Sequence, residues 1–195
     1  MREEVTTVTS PHRFANATLD DWEDLDPVEG QRVELVDGQF RMSAVPSPWH
    51  QILCDELQTL LAPIAKAHGW RAVSGVGVRL TPGTGYIPDL VICEPIPRGV
   101  KTIPASTVVL AIEVVSPSSR KIDRFEKPFI YAATGIKAYW RAEVVKDRLV
   151  RLHCYQLDGG VYVEHATIER DEPRTIALPI GAEVTIDIEA LEADD

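Results

Sequence analysis

The chain has 195 residues, 45% of them apolar, and a formal net charge of -10. This length and apolar content fit one domain with a continuous core, which we predict over residues 17–195 after a flexible arm at residues 1–16. The acidic balance excludes a generally basic surface that coats nucleic acid, so any nucleic-acid contact must come from a local patch.

The cysteines and the hydropathy of the sequence indicate the cellular compartment of the protein. The three cysteines are far apart, and no two have the spacing of zinc ligands. They are Cys54, Cys93 and Cys154. The first thirty residues hold no apolar signal-peptide segment, and no run of 18 apolar residues occurs anywhere. The sequence therefore predicts a cytoplasmic protein in a reducing compartment, neither exported nor membrane-spanning.

The first elements predicted along the chain are a short helix and a β-hairpin. Thr18 has the position of an N-cap before the acidic segment LDDWEDL, which favours a short helix. The alternating runs RVELV and QFRM flank Asp37-Gly38, a dipeptide that adopts the positive φ angles of a tight hairpin turn. Glu34 therefore lies on a strand next to this turn.

A long helix and a second hairpin are predicted next. Apolar residues recur at helical spacing after Ser47-Pro48 and predict an amphipathic helix that ends at Gly69, with a bend at Pro63. The segments AVSGVGVRL and YIPDLVIC have the composition of two strands, joined by the turn-forming residues 81–85. We expect these two strands to pair as an antiparallel hairpin.

The most continuously apolar segment, TVVLAIEVVS, predicts a central strand that Glu113 interrupts. Asp123 and Glu126 have the spacing of a capping box, which predicts a helix that continues through FIYAAT and stops at Gly135. Because this helix connects the central strand to the strand KAYWRAEVV, the two strands should be parallel, with a right-handed crossover.

Two further strands, LVRLHCYQL and VYVEHATI, flank a turn at Asp158-Gly159-Gly160. The resulting order of helix, three strands, helix and strand predicts an α/β fold. Its mixed central β-sheet is flanked by helices and extended by additional C-terminal strands.

Two acids stand out because they lie in apolar strands. An ionised carboxylate inside a buried strand loses several kcal/mol of solvation unless a cation or hydrogen-bond donors replace the water. Antiparallel pairing would bring Asp89 and Glu113 together, and a divalent cation such as Mg²⁺ would relieve their repulsion. The alternative is structural: each acid pairs with an arginine, or Asp89 caps a turn after Pro88.

Several motifs occur in the order in which they occur in a known family: VELVDGQF, PSPWHQ, GVGVRLTP, YIPDLVI, AIEVVSPSSRKIDRFEKPFIYAATGI and KAYW. Over roughly residues 30–145 the chain resembles the PD-(D/E)XK nuclease superfamily. Within that superfamily it is most similar to a large bacterial family of restriction-endonuclease-like proteins, of the Uma-two type.

The resemblance implies a restriction-endonuclease-like core, arranged αβββαβ, and a magnesium site. Asp89, Glu113 and the backbone carbonyl of Val114 are implied as ligands of Mg²⁺, with Mn²⁺ as the alternative ion. The superfamily places a catalytic lysine two residues after the glutamate, where this chain has Val115. The chain departs from the pattern there, so either the lysine comes from elsewhere or the site is inactive.

Lys127 is the substitute that the resemblance favours, since the family commonly carries a lysine on the next helix. Asp123, Lys127 and Tyr131 have i, i+4 and i+8 spacing and share one helix face. The alternative for Lys127 is a solvated surface lysine paired with Asp123. Pro128 removes a helical hydrogen bond or forces a later helix start, which leaves the direction of the lysine open.

Other polar residues have weaker patterns. Glu34 matches the family's glutamate before the DG turn, which implies a supporting metal ligand or a base; otherwise it is an exposed hairpin glutamate. His50 lies at a helix start, where it could contact phosphate, or else act as a capping or packing residue. A compact basic cluster beside the predicted centre is a candidate for gripping a nucleic-acid backbone, although basic residues at a helix start are as often only solvated: Arg120, Lys121 and Arg124.

Two hypotheses of function follow, besides a third option that differs from the first only in its substrate, a metal-dependent hydrolase of a smaller phosphoester. The first is a magnesium-dependent endonuclease that acts on nucleic acid, DNA ahead of RNA, with Glu34, Asp89, Glu113 and Lys127 as catalytic residues. A homodimer is compatible with this hypothesis, because nucleases of the class often pair to cut both strands. The second is a catalytically inactive binding or assembly module of the same fold, which Val115, Pro128 and the net charge of -10 favour.

Overall fold

The computed structural model describes residues 16–116 and 119–192. The predicted arm at residues 1–16 lies outside this range except for Asn16. Within the described range the chain forms the α-helices α1 (Leu19–Glu23), α2 (Pro48–Ala67) and α3 (Lys127–Ala133). Ser47 caps α2, and Thr18 forms a reciprocal capping box with Asp21 at α1, as the sequence predicts for Thr18.

The strands, in chain order, are β1 (Gln31–Val36), β2 (Gln39–Ala44), β3 (Arg71–Ser74), β4 (Gly77–Thr81), β5 (Thr84–Tyr86), β6 (Leu90–Cys93), β7 (Thr102–Pro104), β8 (Val108–Val115), β9 (Ala138–Val144), β10 (Leu149–Asp158), β11 (Val161–Glu169), β12 (Arg174–Leu178) and β13 (Ala182–Ile186). One sheet has five strands in the order β2-β1-β5-β4-β7, and a second has six in the order β11-β10-β9-β8-β6-β3. The strands β12 and β13 form a separate antiparallel hairpin.

The six-stranded sheet contains the predicted core order. The strands β3, β6 and β8 follow α2, and α3 then leads to β9. All eight residues of β8 are buried, which confirms the prediction of a central strand. β8 pairs with β6 in antiparallel and with β9 in parallel orientation, as predicted.

The segments AVSGVGVRL and YIPDLVIC pair in antiparallel orientation, as predicted. The prediction that each segment forms one continuous strand is wrong. Each of the two strands is divided between the two sheets: β3 pairs with β6, whereas β4 pairs with β5. Gly75 lies between β3 and β4 with a φ of 65°, a conformation that glycine adopts without steric cost. The hairpin therefore bends and connects the two sheets.

The capping box predicted for Asp123 and Glu126 is wrong. A π-helical turn, Ile122–Glu126, leads into α3, and no side chain caps either segment. Asp123 is buried and contacts Lys127, while Glu126 accepts a hydrogen bond of 3.1 Å from Arg41. In place of the local cap, Glu126 pairs with the distant Arg41 and Asp123 pairs with Lys127 one helical turn later.

The core occupies both faces of the six-stranded sheet. Leu53, Leu57 and Leu61 of α2 pack on one face, together with the β12–β13 hairpin. On the other face α3 and the five-stranded sheet enclose a smaller cluster that includes Tyr86 and Tyr131. No helix within residues 16–116 and 119–192 has the length and apolar character needed to cross a bilayer.

Gly85 is expected to be intolerant of any side chain, because Trp22 of α1 packs directly on its backbone. A Cβ atom at position 85 would lie 2.2 Å from a ring carbon of Trp22. The indole is fixed in turn by a hydrogen bond of 2.8 Å from its N–H to the Val33 carbonyl. We expect Gly85→Ala to lower the free energy of unfolding by about 1–3 kcal/mol, as measured by urea denaturation.

A double-mutant cycle tests this cause. Trp22→Leu should remove the clash, so the cost of Gly85→Ala should shrink in the Trp22→Leu background. Equal costs in both backgrounds would show that the indole is not what excludes the methyl group.

Candidate active site

Asp89 and Glu113 lie side by side on neighbouring strands. Leu90 of β6 faces Ile112 of β8, and the antiparallel register brings Asp89, before Leu90, next to Glu113, after Ile112. The two residues are 5% and 1% exposed. This is the placement that the apolar strands predict, and it takes both carboxylates out of bulk water.

Glu113 is held from α3. Its Oε2 atom is 2.9 Å from Lys127 Nζ, and its Oε1 atom accepts a hydrogen bond of 2.7 Å from the Tyr131 hydroxyl. Burial raises the pKa of Glu113 well above its usual range, and the negative charges of Asp89 and Asp123 act in the same direction against the opposing charge of Lys127. Burial likewise raises the pKa of Tyr131, so its phenol is neutral and donates.

Asp89 is held by three donors from three different elements. Arg32 of β1 donates to Oδ1 at 2.9 Å, and the Val114 N–H donates to Oδ2 at 2.9 Å. His50 of α2 places Nε2 3.2 Å from Oδ2. Burial alone would raise the pKa of Asp89, but the hydrogen bond from His50 and the charges of Lys127 and Arg32 hold it well below its usual range.

Lys127 points into the centre and does not lie on the surface. Its Nζ atom lies near three carboxylates, at 2.9 Å from Glu113, 3.5 Å from Asp123 and 3.7 Å from Glu34. Burial alone would lower the pKa of Lys127, but the charges of these carboxylates hold it well above its usual range. Pro128 falls in the first turn of α3 and does not divert the side chain.

Glu34 is buried, which contradicts the alternative of an exposed hairpin glutamate. It is 6% exposed, and its Oε1 atom accepts a hydrogen bond of 2.9 Å from the Ile87 N–H. The same oxygen faces Lys127. β1 and the segment before β6 thus place a third acid beside Asp89 and Glu113.

The four buried acids are called the acidic cluster below: Glu34, Asp89, Glu113 and Asp123. Among the described residues that contact the cluster, Lys127 and Arg32 are permanent cations, so negative charge is in excess when every acid is ionised. Burial is the main cause of the raised pKa of Glu113 and of Asp123, and the negative charge of Asp89 adds to it in both cases. Carboxylate and carbonyl oxygens are the ligands that Mg²⁺ and Mn²⁺ prefer, so these residues fit a divalent cation.

The acidic cluster opens to solvent through a cavity of about 690 Å³. β2 and the following residues 45–47 form one wall, and the π-helical turn forms another. Of the predicted basic cluster, Arg120 and Lys121 are exposed. Arg124 instead forms a paired contact with Glu143, whose shorter N···O distance is 2.6 Å. The acids are therefore accessible from solvent through this cavity.

The sequence patterns did not single out Arg32, and of the roles that they left open for His50 the capping role is wrong. Arg32 lies two residues before Glu34 on β1, so strand periodicity places the two side chains on one face. That periodicity is the signal that could have identified the arginine. His50 is not the cap of α2, which is Ser47; its ring contacts Asp89 and the Val114 carbonyl.

Comparison with known proteins gives one family match. The family described as Uma2, putative restriction endonuclease, matches residues 19–189. A comparison with curated proteins finds no match.

Among solved structures, a crystal structure described as a putative nuclease belonging to DUF820, from Anabaena variabilis, superposes with a TM-score of 0.68. It is 18% identical in sequence, and the match covers 90% of this chain and 97% of that chain. The chain therefore has the restriction-endonuclease-like fold. A cryo-electron microscopy structure of a DrdV–DNA complex matches with a TM-score of only 0.35 and 15% identity, over 58% of this chain and 9% of that chain.

Proposed function

The chain is a member of the Uma2 family, and from that premise we propose that it is a metal-dependent endonuclease that hydrolyses phosphodiester bonds, preferring DNA to RNA. The observation that carries the proposal is the position of Lys127. Its ammonium lies 2.9 Å from Glu113, within a buried acidic cluster that opens to a large cavity. Two strand-borne acids can hold a divalent cation, and a lysine beside them can stabilise the negative charge that develops on a phosphate.

Asp89, Glu113 and the Val114 carbonyl would hold Mg²⁺ or Mn²⁺. When bound, such an ion lowers the pKa of a coordinated water and neutralises charge that develops on the phosphate. Glu34 would support this set from β1, where it already accepts the Ile87 N–H. The hydrogen bond from His50, together with the charges of Lys127 and Arg32, keeps Asp89 ionised, and Arg32 fixes its Oδ1 atom.

Lys127 supplies the positive charge that Val115 cannot. Val115 is a buried residue of β8, and its side chain carries no charge to offer the phosphate. Lys127 reaches the same acids from α3 and is held there by carboxylates, so its ammonium is oriented before substrate arrives. It would stabilise the negative charge on the phosphorane oxygens or orient the attacking water.

The nucleic acid would enter along a local basic path, since the net charge of -10 opposes broad electrostatic attraction. Arg120 and Lys121 are exposed, lie in the chain between the cavity-lining Ser119 and Ile122, and are the candidates for phosphate contacts. Arg124 would contribute only by exchanging Glu143 for a phosphate. A homodimer would supply the second centre that is needed to cut both strands of a duplex.

The alternative of an inactive binding module makes a different prediction for metal binding. Lys127, Arg32 and His50 already provide partners for the acids, which would suffice for a fold that needs no ion. Calorimetric titration with Mn²⁺ discriminates the two functions. The endonuclease requires binding that Glu113→Gln abolishes, whereas the binding module requires none.

Metal affinity should rise with pH. Burial raises the pKa of Glu113, so a proton competes with the cation below that pKa and is released when the cation binds. We expect Mn²⁺ affinity to increase as pH rises through this pKa and then to level off, together with proton release measured by calorimetry in buffers of different ionisation enthalpy. Glu126→Gln, at the half-exposed pair with Arg41, should keep the profile. A flat profile in the wild-type chain would contradict this role of Glu113.

The cleavage assay uses closed circular plasmid, circular single-stranded DNA and RNA, each with Mg²⁺, with Mn²⁺ and with EDTA. We expect nicking or linearisation of the DNA circles in the presence of either ion, faster than cleavage of RNA, and none in EDTA. Circular substrates have no ends, so their cleavage identifies an endonuclease. Intact substrates at every metal concentration with a folded protein would overturn the proposed function.

A further inference from the structure

His50 contacts two of the oxygen atoms that are proposed above as metal ligands. Its Nε2 atom is 3.1 Å from the Val114 carbonyl oxygen and 3.2 Å from Asp89 Oδ2. The inference that follows rests on the proposed function, because it concerns the same centre. It adds to that centre His50, which lies on α2 and not on the strands that position Asp89 and Glu113.

The ring of His50 is held at both nitrogens. His50 is the third residue of α2, where its N–H donates to the Ser47 hydroxyl at 3.3 Å, and its side chain is only 11% exposed. One turn later on the same helix, Cys54 Sγ lies 3.6 Å from Nδ1. Such a partner on the second nitrogen fixes the orientation of an imidazole and its tautomer.

The neighbours of the imidazole ring determine which hydrogen bonds each tautomer of His50 forms. Asp89 is ionised and the Val114 carbonyl can only accept, so in the metal-free protein Nε2 carries the proton and donates to both. Nδ1 then accepts from the Cys54 thiol, whose pKa is raised first by burial and then by the charge of Asp89. In the other tautomer Nδ1–H donates to the Cys54 sulfur, and the Nε2 lone pair points to the same two oxygens.

We propose that His50 is a nitrogen ligand of the metal centre and makes that centre selective for Mn²⁺ over Mg²⁺. On binding, the Nε2 proton leaves to solvent and Nδ1 takes one up, so the ring stays neutral and gives its Nε2 lone pair to the cation. Imidazole nitrogen suits first-row transition metals, whereas Mg²⁺ favours oxygen ligands and retained water. Cys54 serves as the hydrogen-bond partner of Nδ1, and the neutral thiol does not act as a ligand.

Pulsed electron paramagnetic resonance of bound Mn²⁺ tests the proposal in the wild-type chain. We expect modulation from a directly bonded imidazole nitrogen, which changes its pattern when the protein is labelled with ¹⁵N-histidine. His50→Gln should abolish the nitrogen signal, because the glutamine amide can still donate to Asp89 and Val114 but offers only an oxygen ligand. His68→Gln, at the exposed C-terminal end of the same helix, should leave the signal unchanged.

Calorimetry gives the matching affinities. His50→Gln should lower the affinity for Mn²⁺ by at least about 10–100-fold, because loss of a residue that only orients a metal ligand already costs this much. The same substitution should lower the affinity for Mg²⁺ much less. The selectivity for Mn²⁺ should therefore collapse in this variant and persist in His68→Gln.

The outcomes separate the two proposals. Wild-type Mn²⁺ binding that depends on Glu113 but lacks a nitrogen signal would overturn the role of His50 and leave the proposed function standing. Absence of any Mn²⁺ binding would overturn both. A nitrogen signal that survives in His50→Gln would also overturn the assignment, because the bonded nitrogen would then belong to another residue.

Discussion

The Asp89→Asn variant is expected to cleave nucleic acid at least about 100-fold more slowly than the wild-type chain. Loss of a residue that only orients a metal ligand typically costs about 10–100-fold, and Asp89 is proposed as a ligand itself. Asparagine preserves the shape of the side chain and can still accept the Val114 N–H, but it lacks the charge that Arg32 and a cation require. The measurements are single-turnover cleavage and Mn²⁺ titration of the same preparations.

The matched control for this variant is Asp55→Asn, an exposed aspartate on α2. It removes the same charge from the chain and should leave both the cleavage rate and the Mn²⁺ affinity unchanged. We expect Asp89→Asn itself to lower the free energy of unfolding by only about 1–3 kcal/mol, so the variant should stay folded. Full activity in folded Asp89→Asn would remove Asp89 from the catalytic centre.

The Lys127→Met variant is expected to lose both activity and stability. Methionine fills a similar volume but leaves Glu34, Glu113 and Asp123 without their shared cation. Removing one partner of a buried ion pair costs about 3–5 kcal/mol, and removing a group that stabilises a transition-state charge costs about 10²–10³-fold in rate. Chemical denaturation at neutral pH and single-turnover cleavage measure the two effects. Lys121→Met, at an exposed lysine six residues earlier, should change stability little.

The stability deficit of Lys127→Met should depend on pH and on metal. Burial raises the pKa of Glu113 and Asp123, so these acids take up protons as pH falls, and their mutual repulsion in the variant then disappears. The deficit should therefore shrink toward acidic pH. A bound divalent cation should also restore part of the lost stability, because it binds only the folded acids. A deficit that stays constant across pH and metal concentration would mean that Lys127 contributes packing and not charge.

Local patterns in the sequence predicted most of the fold. Asp37 and Gly38 have φ angles of 48° and 74°, as a tight hairpin turn between alternating strands requires. The continuous apolar run of β8 predicted a strand covered on both faces, and the helix after it predicted the parallel pairing with β9. These features depend on periodicity and on turn chemistry, which neighbouring residues determine.

Two features of the fold depend on distant contacts and were not predicted. The division of AVSGVGVRL at Gly75 depends on which sheet each half joins, because both halves have strand composition. Asp123 and Glu126 have capping-box spacing, yet Glu126 pairs with Arg41 of β2, and Asp123 is buried beside Lys127 and Asp89. In both cases contacts with distant residues outweighed a valid local signal.

The candidate centre was predicted where charge conflicted with an apolar pattern. Asp89 and Glu113 stood out because carboxylates are costly inside apolar strands, and family resemblance added Lys127, which the structure places against Glu113. Arg32 could not be predicted in the same way, because an arginine on a hairpin strand is ordinary until Asp89, 57 residues away, becomes its partner. The role of His50 likewise depends on two distant partners, Asp89 and the Val114 carbonyl, and a backbone carbonyl carries no sequence signature.

The most direct test of the acidic cluster as a metal-dependent nuclease centre is single-turnover cleavage of circular DNA by the wild-type chain and by Glu113→Gln, with Mn²⁺ and with EDTA. Glutamine can still accept the Tyr131 hydroxyl but cannot balance Lys127 or a cation. We predict cleavage by the wild-type chain in Mn²⁺ alone, none in EDTA, and none by folded Glu113→Gln. Cleavage that persists in EDTA, or in Glu113→Gln at the wild-type rate, would contradict a metal centre at Glu113.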